Sequence, residues 1–125
     1  MSAICIAAAR HPLLPRACSD CLAIGIPLRF SFGCPFEGVV PSATVLKLVG
    51  GVLESPPDEF VLADTIGVGL PRQVRELLAG VRSLASLRLG GHFHNTRSTG
   101  IANALAAQNL IPPVGPKKLG QFEYI

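Results

Sequence analysis

The order of extended and helical segments is the feature that most constrains the fold of this chain. Short segments with the composition of strands alternate with segments whose apolar residues recur at helical spacing. A strand–helix–strand–helix–strand–helix order favours parallel βαβ units and therefore an α/β fold. The predicted strands are residues 28–32, 59–64 and 87–94, and the predicted helices begin at Pro41-Ser42, at Pro71 and at Ile101.

Two of the helical segments have apolar residues at i, i+3, i+4 and i+7, which is the spacing of one helical face. A proline opens each of them, and proline is favoured in the first helical turn. Gly50-Gly51 weakens the first helix by roughly 1 kcal/mol per glycine relative to alanine, and Pro56-Pro57 ends it. The two apolar faces consist of Val45, Leu48, Val49 and Val52, and of Val74, Leu77, Leu78 and Val81.

Composition and punctuation divide the chain into three parts. With 125 residues, 49% hydrophobic and 15% charged, the chain is long and apolar enough to fold around one core. We expect an irregular N-terminal segment over 1–26, a folded domain over 27–107 and a divergent tail over 108–125. Prolines and glycine at 112–116 break the helical pattern in that tail. The low charge also predicts a surface that meets a partner or further chain.

Charge and hydropathy exclude several classes of partner. The net charge of +3 comes from scattered Lys and Arg, which argues against a nucleic-acid-binding protein. No apolar run reaches the roughly 20 residues of a membrane helix, so we expect no membrane segment. Four cysteines without a secretory signal favour a cytoplasmic protein. Residues 1–19 are basic and contain no acid, which leaves a mitochondrial targeting segment as an alternative.

The sharpest local motif is His92-Phe93-His94. Residues two apart on a strand point to the same face, so both imidazoles are predicted to project together and to begin a divalent-metal site. The alternative is one histidine with a structural hydrogen bond and one exposed histidine. Sites in parallel α/β folds lie at the carboxyl ends of strands, where Asp64 and Cys34 are also expected.

Three motifs in order resemble those of hydroxymethylglutaryl-CoA lyases. They are Phe-Gly-Cys-Pro-Phe-Glu-Gly at 32–38, Ala-Asp-Thr-Ile-Gly-Val-Gly at 63–69 and Gly-His-Phe-His-Asn-Thr at 91–96. Residues 101–107 are similar to the helix that follows in this family, so the resemblance covers roughly residues 27–107. Three motifs at the expected spacing are more specific than one, and they favour the metal-ligand interpretation of His92 and His94.

The resemblance implies a (β/α)8 TIM barrel, of which this chain would supply about three βα units. It implies cleavage of 3-hydroxy-3-methylglutaryl-CoA to acetoacetate and acetyl-CoA with Mg²⁺ or Mn²⁺. His92 and His94 would be the metal ligands, Asp64 and His92 the catalytic residues, and an acyl-CoA the substrate. A retro-aldol cleavage needs the tertiary hydroxyl deprotonated and the released enolate protonated, which fits a cation beside acid–base groups.

Departures from the family leave two hypotheses open. The chain lacks the Arg-Asp-Gly motif, the later Gly-Gly-Cys-Pro loop and the metal-binding asparagine that the family supplies. One hypothesis is a lyase that becomes active on self-association or on assembly with a complementary barrel fragment. The other is a truncated, non-catalytic fragment. Related isopropylmalate or homocitrate synthases and hydroxy-oxovalerate aldolases are a third possibility, but the first two motifs favour the lyase.

Several other residues allow a functional and a structural interpretation. Cys34 matches a family cysteine, but packing is the favoured role because a free cysteine behaves as a small hydrophobic residue. Cys18 and Cys21 could form half of a zinc site, yet no second pair stands at the required spacing. Arg97 could meet an anionic substrate or be a solvated loop charge, and Glu37 could face the site.

Overall fold

Helices alternate with parallel strands in the part of the chain that the computed structural model describes, namely residue 20, residues 24–111 and the backbone of 122–124. The predicted α/β class is confirmed. Cys18, Cys21 and the basic N-terminal segment lie outside these residues. The elements are β1 Gly25–Leu28, β2 Gly33–Cys34, β3 Gly38–Val39, α1 Ser42–Val52, β4 Glu59–Asp64, α2 Pro71–Leu84, β5 Arg88–Phe93, α3 Gly100–Gln108 and β6 Phe122–Tyr124.

The main sheet has the order β1–β4–β5–β6, and every neighbouring pair in it is parallel. Strands β2 and β3 form a separate antiparallel hairpin at 33–39. Between β4 and β5, Ala63 pairs with His92 and Asp64 pairs with Phe93. Because the strands are parallel, their carboxyl ends and the loops that follow them lie at one edge of the sheet.

Two of the predicted elements agree closely with the structure. The apolar run at 59–64 is β4, and the helix predicted to begin at Pro71 does begin there. Both apolar helical faces are buried, except that Leu48 is only half-buried. They pack on the sheet face that carries Phe60, Leu62 and Phe93, so the core lies between helices and sheet.

The first strand is shorter than predicted. We expected it over 28–32, but β1 ends at Leu28 because the chain turns at the next two residues, where Phe30 has φ 58°. Ser31 then donates its main-chain N–H to the carbonyl of Ala63 at 3.1 Å, which brings the chain back beside β4. The Phe30 N–H donates to Thr65 Oγ1 at 3.0 Å, so side-chain chemistry stabilises a turn that no alternation pattern reveals.

The three predicted βα units are present as β1–α1, β4–α2 and β5–α3. The structure adds one parallel strand that was not predicted, β6, which pairs with β5 within the tail expected to diverge. Three residues are too few to show a period of two, and their place beside β5 is a tertiary property.

None of the helices in the described ranges is long and apolar enough to cross a membrane.

Arg82 links α2 to the segment just before β5 and to the segment just after α3. Its Nε donates to the Leu110 carbonyl at 3.2 Å and its Nη1 donates to the Leu87 carbonyl at 3.4 Å. We expect Arg82→Ala to lower the free energy of unfolding by about 1–2 kcal/mol, since both bonds use a charged donor in a half-buried position.

Urea unfolding followed by circular dichroism measures this effect, and Arg72→Ala is its matched control. Arg72 is on the same helix, and its Nε donates to Glu76 Oε1 at the surface, at 2.8 Å. Such an exposed pair is worth about 0.3–0.5 kcal/mol. Equal losses for the two variants would contradict a linking role for Arg82.

Candidate metal centre

Two imidazoles meet where β5 ends. His92 is the next-to-last residue of the strand, and His94 directly follows its final residue, Phe93. Their Nε2 atoms are 3.0 Å apart, with ring centroids 4.9 Å apart and ring planes at 61°. Both side chains are half-buried. The prediction that the two imidazoles project to the same side is confirmed.

The separation of the two nitrogens fits a divalent cation. Two neighbouring ligands of an octahedral ion, each about 2.1 Å from the centre, lie about 3.0 Å apart. The Nε2 atoms of His92 and His94 have this separation. Within residues 24–111, no group of three His, Cys, Asp or Glu side chains could hold a metal ion. Among the His, Cys, Asp and Glu side chains of this part of the chain, the two imidazoles are thus not joined by a third potential ligand.

Asp64 lies on the other face of the sheet. It pairs with Phe93, and since His92 and Phe93 alternate along β5, the carboxylate faces the helices and not the imidazoles. Asp64 is fully buried, and its Oδ1 and Oδ2 accept the main-chain N–H groups of Val68 at 3.0 Å and Gly69 at 2.9 Å. The structure thus does not bring Asp64 together with the histidine pair.

The three motif loops contact one another through glycines. A Cβ on Gly33, in the hairpin, would overlap the side chain of Val68 in the β4–α2 loop. A Cβ on Gly67, in that same loop, would overlap Thr96 in the β5–α3 loop. Gly67 also has φ 68°, a backbone conformation that favours glycine. These contacts explain why glycine is required in the motifs and confirm that the three loops meet at one edge of the sheet.

The remaining predicted residues are placed as follows. Cys34 is a free thiol in the hydrophobic core with 2% of its surface exposed, in agreement with the packing role. Arg97 and Glu37 are exposed in their loops. Their suggested contacts with a substrate stay predictions.

Sequence reasoning assigned no role to Asn103. This residue is fully buried on α3, and its Nδ2 donates to the Gly69 carbonyl at 2.9 Å. The signal for it was present in the helical spacing. Gly100, Asn103 and Ala107 form the buried face of α3, so a polar side chain stands in the middle of an otherwise apolar stripe.

The comparisons with known proteins agree on one family. The HMGL-like family model matches residues 15–110. The (R)-citramalyl-CoA lyase of Chloroflexus aurantiacus is 37% identical over 89 residues, which are 70% of this chain and 28% of that protein. The chain therefore spans little more than a quarter of that relative's length.

Solved structures show the same partial coverage. The HMG-CoA lyase of Brucella melitensis superposes with a TM-score of 0.76 at 28% identity, over 90% of this chain and 38% of that one. The HMG-CoA lyase of Acinetobacter baumannii, solved in complex with coenzyme A and 3-methylmalate, has a TM-score of 0.73 at 32% identity. It is covered over 34% of its length by 90% of this chain. The parallel sheet with its helices is thus part of a TIM barrel, as expected from the sequence.

Proposed function

Because the chain belongs to the HMGL-like family, whose model matches residues 15–110, we propose that it is the central part of a carbon–carbon lyase. The proposed reaction is cleavage of 3-hydroxy-3-methylglutaryl-CoA to acetoacetate and acetyl-CoA, or the corresponding cleavage of a related acyl-CoA to its own carbonyl product and acetyl-CoA. Two facts about relatives support an acyl-CoA substrate. One is named a citramalyl-CoA lyase, and one was solved with coenzyme A bound.

The observation that carries the proposal is the 3.0 Å contact between Nε2 of His92 and Nε2 of His94. Members of this family generally depend on a divalent metal. We propose that the two nitrogens hold Mg²⁺ or Mn²⁺ in neighbouring coordination positions. Such an ion supplies a Lewis acid for the 3-hydroxyl of the substrate. The imidazoles stand at the carboxyl edge of the sheet, where a substrate can reach them.

Proton transfer is the second requirement of the reaction. The hydroxyl loses its proton as the carbon–carbon bond breaks, and the acetyl-CoA enolate takes up a proton. His92 and Asp64 are the proposed candidates, and their positions favour His92. Its Nε2 would hold the cation, so the proton would move at its Nδ1. Both oxygens of Asp64 accept main-chain N–H groups on the opposite face.

A non-catalytic fragment is the alternative function. The observation that favours it is the absence of a third metal ligand in residues 24–111, since two imidazoles leave most of a coordination shell to water. Self-association or a complementary barrel fragment would supply further ligands under the first proposal. The two proposals therefore differ in whether an added barrel segment restores turnover.

We expect Mn²⁺ to bind at the histidine pair and to broaden the imidazole NMR signals of His92 and His94 before those of His11. Substituting either histidine by alanine removes one of the two proposed donors, so the apparent Kd is expected to rise at least about tenfold. A Mn²⁺ titration followed by NMR measures this. His11→Ala is the matched control, because it removes an imidazole far from the motif in sequence and should leave the Kd unchanged.

Turnover is tested separately from binding. The chain is mixed with the segments of a hydroxymethylglutaryl-CoA lyase that flank the matched region, and acetoacetate release from 3-hydroxy-3-methylglutaryl-CoA is measured with Mg²⁺ or Mn²⁺. Release that His94→Ala abolishes would support the lyase. Mn²⁺ binding without product in any mixture would establish the fragment alternative.

A further inference from the structure

One peptide group in the β4–α2 loop is held from both sides by fully buried side chains. The Gly69 N–H donates to Asp64 Oδ2 at 2.9 Å, and the Gly69 carbonyl accepts from Asn103 Nδ2 at 2.9 Å. Asp64 and Asn103 each have 0% of their surface exposed. The loop at 65–70 is thereby fixed at once to the end of β4 and to α3.

The same loop touches the segment that follows the histidine pair. Gly67 lies two residues before Gly69, and it is so close to Thr96 that an added Cβ would overlap that side chain. Thr96 is two residues after His94. At the other end of this segment, Asn95 Oδ1 accepts the N–H of Gly100 at 2.9 Å, where α3 begins. Residues 95–100 therefore run from the loop that Asn103 holds to the helix that carries Asn103, with 95–98 exposed.

Burying the polar side chain of Asn103 costs free energy that its packing contacts do not offset. Its Oδ1 is buried and has no hydrogen-bond partner among the described residues. A leucine of similar size would fill the place with no unsatisfied polar atom. What the asparagine adds is the hydrogen bond from its Nδ2 to the Gly69 carbonyl. Because a hydrogen bond is directional, this bond fixes the position of the loop.

We propose that Asn103 is a positioning residue for the imidazole pair. It holds Gly69, the loop at 65–70 holds Thr96 through Gly67, and Thr96 fixes the chain that leaves His94. Asp64 is the other half of this clamp. The inference rests on the cation-binding role proposed for His92 and His94, and its experiment includes a readout that does not depend on any cation.

The experiment compares Asn103→Leu with Asn109→Leu in the full chain. Asn109 is an exposed asparagine just beyond the end of α3, so it is a matched control. The first readout is the ¹⁵N NMR spectrum of the imidazoles, which reports the Nε2···Nε2 contact directly. The second is the apparent Kd for Mn²⁺, expected to rise about tenfold in Asn103→Leu, as for other residues that orient ligands, and to stay unchanged in Asn109→Leu.

Each outcome decides a specific point. Imidazole signals and Kd that are unchanged in Asn103→Leu would overturn the proposal. Altered imidazole signals, in a chain whose wild type binds no Mn²⁺, would support positioning while refuting the metal centre. If Asn103→Leu does not fold, the isosteric Asn103→Asp, which has no donor for Gly69, replaces it. Failure of both variants to fold would show that Asn103 is a general stability residue, which also overturns the proposal.

Discussion

Gly67→Ala is expected to lower the free energy of unfolding by about 3 kcal/mol. Gly67 has φ 68°, and an L-residue in this conformation costs roughly 1–2 kcal/mol. The added Cβ would also overlap the side chain of Thr96 and lie 3.1 Å from its main-chain nitrogen. Because a main-chain atom cannot move aside as a side chain can, the overlap adds about 1–3 kcal/mol. Urea unfolding followed by circular dichroism measures the sum.

Gly38→Ala separates strain from overlap. Gly38 has φ 75°, but a Cβ there would meet nothing within 4 Å, so only the conformational cost of about 1–2 kcal/mol remains. In a double-mutant cycle, Thr96→Gly should recover part of the Gly67→Ala loss and none of the Gly38→Ala loss. If both glycine variants lose the same free energy, the contact between the two loops contributes nothing.

Local sequence patterns predicted the strands and helices that are long enough to show their full repeat of apolar residues. Strand β4 was identified by six residues of apolar character, and α2 by the spacing of Val74, Leu77, Leu78 and Val81. The shared side of His92 and His94 followed from the period of two in a strand. These features depend only on neighbours in the chain, which is why the sequence contains them.

The features that the sequence did not predict all depend on tertiary structure. The turn at Phe30 is stabilised by Thr65, which is 35 residues away. Strand β6 is defined by pairing with β5 and not by its own composition. The face on which Asp64 lies follows from its register with Phe93, and no single strand reveals which face meets the helices. The motif aspartate was therefore expected beside the metal, and the structure places it under the loop.

Two kinds of motif residue emerge from this comparison. The histidines bring two ring nitrogens to within 3.0 Å of each other, which is the pair proposed to hold a cation. The motif glycines, together with Asp64, let three loops approach closely and hold them there. A motif that the sequence suggests to be catalytic thus consists largely of residues that hold the loops together at the edge of the sheet. Asp64 is the residue for which the two interpretations make different predictions.

Asp64→Ala is expected to cost about 4 kcal/mol in the free energy of unfolding. The substitution leaves the buried N–H of Gly69 and the part-buried N–H of Val68 without an acceptor, and each such group costs about 1–3 kcal/mol. A domain with a total stability of about 5–15 kcal/mol would lose much of it. Hydrogen exchange of these two amides should also accelerate, because their protection depends on the carboxylate.

Asp58→Ala is the matched control for this substitution. Asp58 also accepts a main-chain N–H, from Ile24 at 2.7 Å, but in an exposed position where water can replace it. Its loss should cost only about 0.5–1.5 kcal/mol, the usual net value of one hydrogen bond. A small loss in Asp64→Ala, equal to that of Asp58→Ala, would mean that the carboxylate is dispensable for the loop. The aspartate of the motif would then have to be explained by chemistry, and proton transfer by Asp64 would become the better account.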